Sequence, residues 1–279
     1  MTTGLLEHGP DVRDDSSIRP PLTTAVPTGH RATQLALGAV AGGTLGWLVA
    51  PSAPTALGIA AVGAAALTAV AANWSTCGLS VAGVVAAPKQ PGRKGASTPL
   101  RRLGLHALGS VTTGSVTGAG LGALGALAVG GVGAGVMLAV WALVAVAYGL
   151  HELGFVTLPT PMRRRQLPRH WRRTMAPRKV SFLFGAIIGP GFLIFIRSSA
   201  YYLLVLATLA VGSPVLGAAL FTVVSLGRCG PSLAAVVHTR RGGTMPRFLA
   251  LSCRIDRHVQ TATGMLLTAL GTFTLTTLL

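Results

Sequence analysis

A short polar segment, Asn73 to Cys77, interrupts an apolar stretch and holds the groups best suited to chemistry. The thiol of Cys77 could exchange disulfides, or it could pack as a small buried hydrophobe, as free cysteines commonly do. The amide of Asn73 could bind a solute, or it could satisfy backbone groups that a broken helix leaves free. The residues themselves leave both pairs of alternatives open.

The composition around this segment is that of a membrane protein. The 279 residues are 51% hydrophobic and 10% charged, whereas soluble domains are about 25% charged. The net charge of +17 could indicate nucleic acid, but aromatic residues that stack on bases are only 5% of the chain. Basic loops between apolar spans instead indicate a cytoplasmic side, so we expect membrane lipids as partners and no nucleic acid. Three cysteines fit no metal or disulfide pattern, and no cofactor is expected.

The apolar spans divide the chain into five parts. Residues 1–31 are predicted to be a disordered cytoplasmic tail, and 32–54 an extra N-terminal transmembrane helix. Residues 55–155 and 180–279 each hold three spans, and the basic loop 156–179 separates them.

Each three-span half begins with an interrupted span. The stretch 55–87 exceeds the roughly 20 residues of a straight crossing, and the second half breaks at Gly189-Pro-Gly191. Halves that enter the membrane from opposite sides make inverted repeats, whose site lies where the broken helices meet. We therefore predict an all-α integral membrane protein with about seven transmembrane helices, six of them as two inverted three-helix repeats. The basic loops predict a multi-pass protein of the cytoplasmic membrane, with the N-terminus cytoplasmic and the C-terminus outside.

Three further expectations concern single elements. Small residues in the span 103–127 should let helix backbones approach closely. His106 falls at a cytoplasmic end of a span, where it could relay a proton or lie at headgroup level. The residues 240–257 are predicted to be a third basic loop that contains Cys253, and 259–279 the last span.

Four stretches resemble the transmembrane thiol–disulfide electron carriers, of the cytochrome c biogenesis CcdA and DsbD transmembrane type. Ser75-Thr-Cys77 resembles the Ser-Pro-Cys of that family's first span, and Gly149 to Gly154 resembles a Gly-Leu-His-Leu-Leu-Gly at the end of its third. Ser225-Leu-Gly227 is similar to the family's Ser-Leu-Gly, and 259–279 to its last span. The likeness covers roughly residues 57–279.

The resemblance implies a chemistry and shows a departure from it. The family uses two cysteines, in its first and fourth spans, to pass a disulfide between cytoplasmic thioredoxin and outside acceptors. The segment from Phe195 to Ser199 holds the place of the second cysteine and lacks one. Thiol exchange needs two sulfurs within bonding reach, so the resemblance implies that Cys77 reacts with a partner, such as a thioredoxin-like protein. Cys229 is either a displaced second thiol or a small packing residue.

The position of a turn decides what two arginines do. Hydropathy ends a span at Ile196, which makes Arg197 part of an outer turn and Arg228 an inner-edge side chain that reaches the headgroups. The resemblance instead implies a turn at Gly212-Ser-Pro214. Both arginines would then lie inside the membrane, where arginine is costly and indicates a functional site.

These patterns predict a divergent thiol–disulfide electron carrier of the cytoplasmic membrane. Cys77 is its predicted catalytic redox thiol, and the predicted binding residues are Asn73, Arg197, Arg228 and Cys229. The alternatives are a small-solute or ion transporter with an intramembrane arginine site, and a non-catalytic membrane scaffold. A soluble enzyme is excluded by the spans, and enzymatic activity is left open.

Overall fold

A computed structural model of the chain describes residues 28–74, 81–83, 85–86, 98–129, 131–159, 171–191 and 198–279. Within these ranges the chain forms helices and no strand, which confirms the predicted all-α class. The helices are α1 (Thr28–Val49), α2 (Ala53–Ala71), α3 (Pro99–Val129), α4 (Ala134–Glu152), α5 (Trp171–Thr174), α6 (Pro177–Ile188), α7 (Ala200–Val211), α8 (Pro214–Gly227), α9 (Cys229–Arg240) and α10 (Met245–Thr276). The predicted tail up to residue 27 lies outside the described residues, as do Cys77 and Arg197.

Several helices are long and apolar enough to cross a membrane. Among the described residues these are Gly29–Val49, Ala53–Ala71, Pro99–Ala128, Ala134–Glu152 and Pro214–Arg240, and α7 is a shorter apolar helix. The predicted membrane class is therefore confirmed. The count of seven spans, the inverted repeats and the division of the chain into five parts stay predictions.

Helices α6 and α7 both run beside α3. The backbone of α3 at His106 contacts Gly185 of α6, and Gly125 of α3 contacts Leu209 of α7. Contacts further along α3 are made by residues with higher numbers in α6 and α7, so both helices run parallel to α3. At 12 residues each, either helix alone is about 18 Å long, too short for the roughly 30 Å hydrocarbon layer.

The chain reverses direction after α7, at Gly212. This residue has φ +60°, the left-handed conformation in which helices commonly end at glycine. Ser213 then caps α8 by accepting a hydrogen bond from the backbone N–H of Leu216 at 3.3 Å, and Pro214 begins the helix. The turn therefore lies at Gly212-Ser-Pro214 and not after Ile196. Hydropathy alone cannot separate a polar break within a span from a turn at its surface.

Helix α8 returns antiparallel to α3, and glycines bring the two backbones into contact. A Cβ on Gly118 would overlap the carbonyl oxygen of Gly217, and a Cβ on Gly217 would overlap that of Gly118. Four residues further along α3, Gly122 lies against Ser213. This confirms that small residues in the span 103–127 allow close helix packing.

The first and last helices pack along each other. Three glycines at four-residue spacing on α1 face α10: Gly38, Gly42 and Gly46. A Cβ on Gly42 would overlap the carbonyl of Ala269, and one on Gly46 would overlap that of Phe273. Contacts further along α1 are made by residues with higher numbers in α10, so α1 and α10 are parallel. Among the described helices, α10 is the main neighbour of α1.

The largest apolar cluster joins α2, α4, α7, α8 and α10. Alanines of α2, including Ala60 and Ala64, are fully buried against larger side chains such as Leu204 and Phe221. Trp141 of α4 is also fully buried. Its indole Nε1 donates to the carbonyl of Leu203 of α7 at 3.0 Å, which satisfies the one polar atom of the ring.

Helix α10 begins well before the predicted last span. Pro246 stands in its first turn, and Phe248 and Ser252 are buried four residues apart. The region 240–257 was expected to be a loop, but from Met245 onward it forms the start of α10, an amphipathic helix on which Cys253 is exposed. The arginines hid this pattern, because they lie on the exposed face between the buried positions.

We predict that Gly118→Ala destabilises the protein by about 1–3 kcal/mol, because the added Cβ must separate two touching backbones. Gly120 has open space at its Cβ, so Gly120→Ala on the same helix is the matched control. Its stability should be unchanged or slightly higher, since alanine favours helix over glycine. Thermal unfolding of the purified protein in detergent checks this, and equal unfolding temperatures would contradict the contact.

Candidate functional site

Five polar side chains are buried together between α3, α8 and α9, and we call them the Arg228 cluster. Arg228 is 7% exposed and His106 is 1% exposed. Three serines are completely buried beside them: Ser110, Ser225 and Ser232. Such burial is unusual for arginine, which almost never leaves solvent unless it is paired.

Helix α3 supplies one side of the cluster. Arg102, His106 and Ser110 follow at four-residue spacing, so they share one helix face. His106 lies seven residues into α3, about 10 Å along its axis. Its ring interacts with the backbone of Ser181 on α6. This burial does not match the expectation of a histidine at headgroup level. The four-residue spacing of the polar residues could have indicated that they share one helix face.

The joint between α8 and α9 supplies the other side. Ser225, Arg228 and Ser232 are spaced by three and four residues and therefore share a face. The helix continues through the joint, because the N–H of Arg228 bonds to the carbonyl of Val224 at 3.1 Å. The charge of Arg228 acts on His106 and on the Tyr201 hydroxyl of α7. The cluster thus lies beside the start of α7.

Several polar atoms of the cluster have no hydrogen-bond partner in the part of the chain that the structure describes. They are Nη1 of Arg228, Nδ1 of His106 and the Oγ atoms of Ser110, Ser225 and Ser232. A buried polar group without a partner costs several kcal/mol, and a buried charge costs more. The arrangement therefore leaves unpartnered polar groups along one face of α3 and one face of the α8–α9 joint.

A counter-charge for Arg228 is missing from the described residues. Their acidic residues are Glu152 and Asp256, and neither contributes to the charges that act on Arg228. The described residues also contain no group of three His, Cys, Asp or Glu side chains that could hold a metal ion. A guanidinium, an imidazole and three hydroxyls are instead suited to an anionic group, because they offer hydrogen-bond donors and positive charge.

The other predicted site residues lie close to this cluster or outside the described residues. Asn73 is 4% exposed, and its Nδ2 donates to the carbonyl of Ala69 at 2.6 Å. Its amide therefore satisfies a backbone carbonyl near the end of α2. The neighbouring Trp74 faces Gly230 of α9. Cys229 is half-buried and free, and its thiol contacts the carbonyl of Ser225 at 3.7 Å.

The fold and the cluster together define an all-α membrane protein with a buried arginine site. No protein-family model matches the chain, and no solved structure matches it. The chain is similar to curated proteins named methylamine utilization protein MauF. The one from Paracoccus denitrificans is 29% identical over 217 residues, 77% of this chain and 74% of the relative. Those from Paracoccus versutus and Methylobacillus flagellatus are 30% identical over 182 residues (63% and 62%) and 28% identical over 204 residues (71% and 71%).

These relatives overturn the resemblance to the CcdA and DsbD carriers. The proteins that the chain matches are named MauF and not thiol–disulfide carriers, so the predicted family and the predicted electron-carrier function are wrong. The alternatives of a transporter and a scaffold find no support in these relatives either. Physically, the short motifs of the resemblance are built of Gly, Ser and Leu, which many packed membrane helices share. Cys229 and Cys253, the cysteines within the described residues, are both free.

We predict that Arg228→Met leaves the apparent unfolding temperature unchanged or raises it, because it removes a buried charge with no described counter-charge. Replacing buried ionic groups with apolar ones of similar volume is commonly neutral or stabilising, by up to about 4 kcal/mol. Leu226→Met, at a 54% exposed position of the same helix, is the control. Thermal unfolding in detergent measures both. A loss of more than about 3 kcal/mol in Arg228→Met would show that the arginine is paired in the resting protein.

Proposed function

We propose that this chain is a membrane-embedded protein of methylamine utilization, similar in role to MauF. The observation that carries the proposal is the similarity to the Paracoccus denitrificans protein of that name, which extends over 77% of this chain. The helical, apolar architecture is compatible with a protein that works within the bilayer. Two further relatives of the same name, from other bacteria, support the same role.

The Arg228 cluster is the proposed functional centre, and the proposed ligand is an anionic group. Arg228 is buried, carries a free Nη1 donor, and has three serine hydroxyls and an imidazole beside it. Ionisable side chains inside membrane proteins are costly and are therefore kept chiefly where they function. Asn73 and Cys229 border the proposed site, and Arg197 stays a candidate from sequence for the same anion.

We also propose the cytoplasmic membrane as the location, with the N-terminus inside and the C-terminus outside. Support comes from the basic residues at the helix ends, such as Arg101 at the start of α3, Arg178 at the start of α6 and Arg240 at the end of α9. Because α6 is parallel to α3 and α8–α9 is antiparallel to it, all of these ends fall on one side of the bundle. Positive residues mark the cytoplasmic side. Helix α10 starts on that side and runs away from it.

We predict that alkaline phosphatase fused after Leu279 is active, because this enzyme folds only outside the cytoplasm, where disulfides form. The same enzyme fused after Gly242, between α9 and α10, should be inactive. Phosphatase activity of whole cells, normalised to fusion protein on a blot, measures both. The reverse pattern would overturn the proposed orientation.

The functional test is complementation. In a Paracoccus denitrificans strain that lacks its own MauF, this chain should restore growth on methylamine, and Arg228→Met should abolish the rescue. Leu226→Met, the exposed control, should retain it. Arg228→Lys should rescue poorly, since lysine keeps the charge but lacks the planar fork that binds an anion through two hydrogen bonds.

Growth on a carbon source other than methylamine, and equal amounts of protein in the membrane, are the controls. If the unaltered chain is present in the membrane and growth on methylamine is not restored, the proposed function fails. If Arg228→Met rescues as well as the unaltered chain, the Arg228 cluster is not the functional centre.

A further inference from the structure

The start of α10 has an uncovered side of basic and apolar residues, which we call the α10 face. It consists of Arg247, Leu251, Arg254, Ile255 and His258, all of them exposed. Leu251 is 54% exposed. With 32 residues, α10 is about 48 Å long and exceeds the roughly 30 Å hydrocarbon layer. Its arginine-bearing start therefore lies outside the hydrocarbon, and lipid tails do not cover Leu251.

The α10 face continues the side of α10 on which α1 packs. Further along the helix, α1 contacts Met265, Ala269 and Thr276. At about 100° per residue, these positions point to the same side as Arg247 and Leu251. One side of α10 is thus covered by α1 over its second half and left open over its first.

Helix α1 starts too late to cover the α10 face. Gly38 of α1 lies against Met265, and both helices rise by about 1.5 Å per residue. Counted back from this contact, Thr28, the first residue of α1, lies at about the level of Ile255. The chain that leads into α1 is therefore the part of this protein nearest to the open side.

The segment before α1, residues 1–27, has charges opposite to those of the α10 face. It contains four of the six acidic residues of the chain and two arginines, and its acidic residues are Glu7, Asp11, Asp14 and Asp15. Apolar residues lie on both sides of the Asp14-Asp15 pair. The segment can therefore meet both the arginines and the exposed leucine.

The geometry also allows the segment to reach the α10 face. Because α1 and α10 are parallel neighbours, residues 1–27 leave α1 on the same side of the membrane as the start of α10, whichever side that is. Arg247 lies about 12 Å beyond Ile255 along the helix. The chain from Asp15 to Thr28 can span up to about 40 Å at about 3.1 Å per residue, so the carboxylates are within reach.

We propose that residues 1–27 dock on the α10 face, where Asp14 and Asp15 pair with Arg247 and Arg254 and an apolar residue beside them covers Leu251. A single exposed ion pair is weak. Here the partners are parts of one chain, and a short tether gives an effective concentration in the millimolar range, roughly. This tether favours the chain's own segment over anionic lipid headgroups as the occupant of the face.

Disulfide cross-linking of the full-length protein in nanodiscs of neutral lipid tests the docking. In a chain otherwise free of cysteine, Ser16→Cys is combined with Leu251→Cys. The matched control combines Ser16→Cys with the native Cys253, which is exposed on another side of α10. We expect the intrachain disulfide to form about fivefold faster with Leu251→Cys, as measured by mass spectrometry of the linked peptides. Equal rates would overturn the proposal.

A charge exchange separates docking from a general effect of the substitutions. Asp14→Lys with Asp15→Lys should slow the Leu251→Cys cross-link about fivefold, because two exposed ion pairs are lost. Arg247→Asp with Arg254→Asp should slow it equally. The four substitutions together should restore the rate, since the pairs form again with opposite signs. Slow cross-linking in the fourfold variant, or unchanged rates in both double variants, would contradict the pairing.

Other occupants of the α10 face give different results. A disulfide that joins two chains would assign the face to a second copy. Loss of the intrachain disulfide when phosphatidylglycerol replaces the neutral lipid would assign it to anionic headgroups. Either result would overturn docking of residues 1–27, and neither depends on the proposed role in methylamine utilization.

Discussion

The close approach of α3 to its neighbours is the contact on which the rest of this structure depends. Inside a bilayer there is no hydrophobic drive between helices, so association relies on van der Waals contact over the length of the backbone. The pair Gly118 and Gly217 provides this contact with α8, and Gly185 of α6 touches the backbone at His106. One long helix thereby aligns the returning helix α8 with α6 and α7.

The same contact explains how polar side chains come to be buried. Because α3 lies against α6 on one side and α8 on another, the groups between them are shielded from solvent. Arg228 and His106 are buried as a result, although His106 lies only seven residues into α3. The glycine contacts fix the helices firmly enough to hold a cluster whose own hydrogen bonds are incomplete. Packing therefore supplies the stability, and the cluster is available for a ligand.

The sequence predicted the helical class, the close packing of α3 and the interrupted span near Gly189, because hydropathy and small-residue spacing are local properties. Hydropathy did not place the turn at Gly212, which the resemblance implied, since a polar triplet at the surface and one within a span look alike. The start of α10 was missed because exposed arginines outnumber the buried residues among them. The burial of His106 was not predicted, because burial depends on neighbours that are distant in sequence. The family resemblance failed for a related reason. Short motifs of small residues reflect close helix packing, which unrelated membrane proteins share.

The parallel contact of α1 with α10 has a consequence for how the chain is made. The last residue of α1 is synthesised almost 200 residues before the first residue of α10, its main neighbour among the described helices. Until then its row of glycines, Gly38, Gly42 and Gly46, lacks this partner. Contacts between distant parts of a chain form late in folding. The contact between α1 and α10 can therefore form only after α10 has been synthesised, and a protein truncated before α10 would leave α1 without this partner.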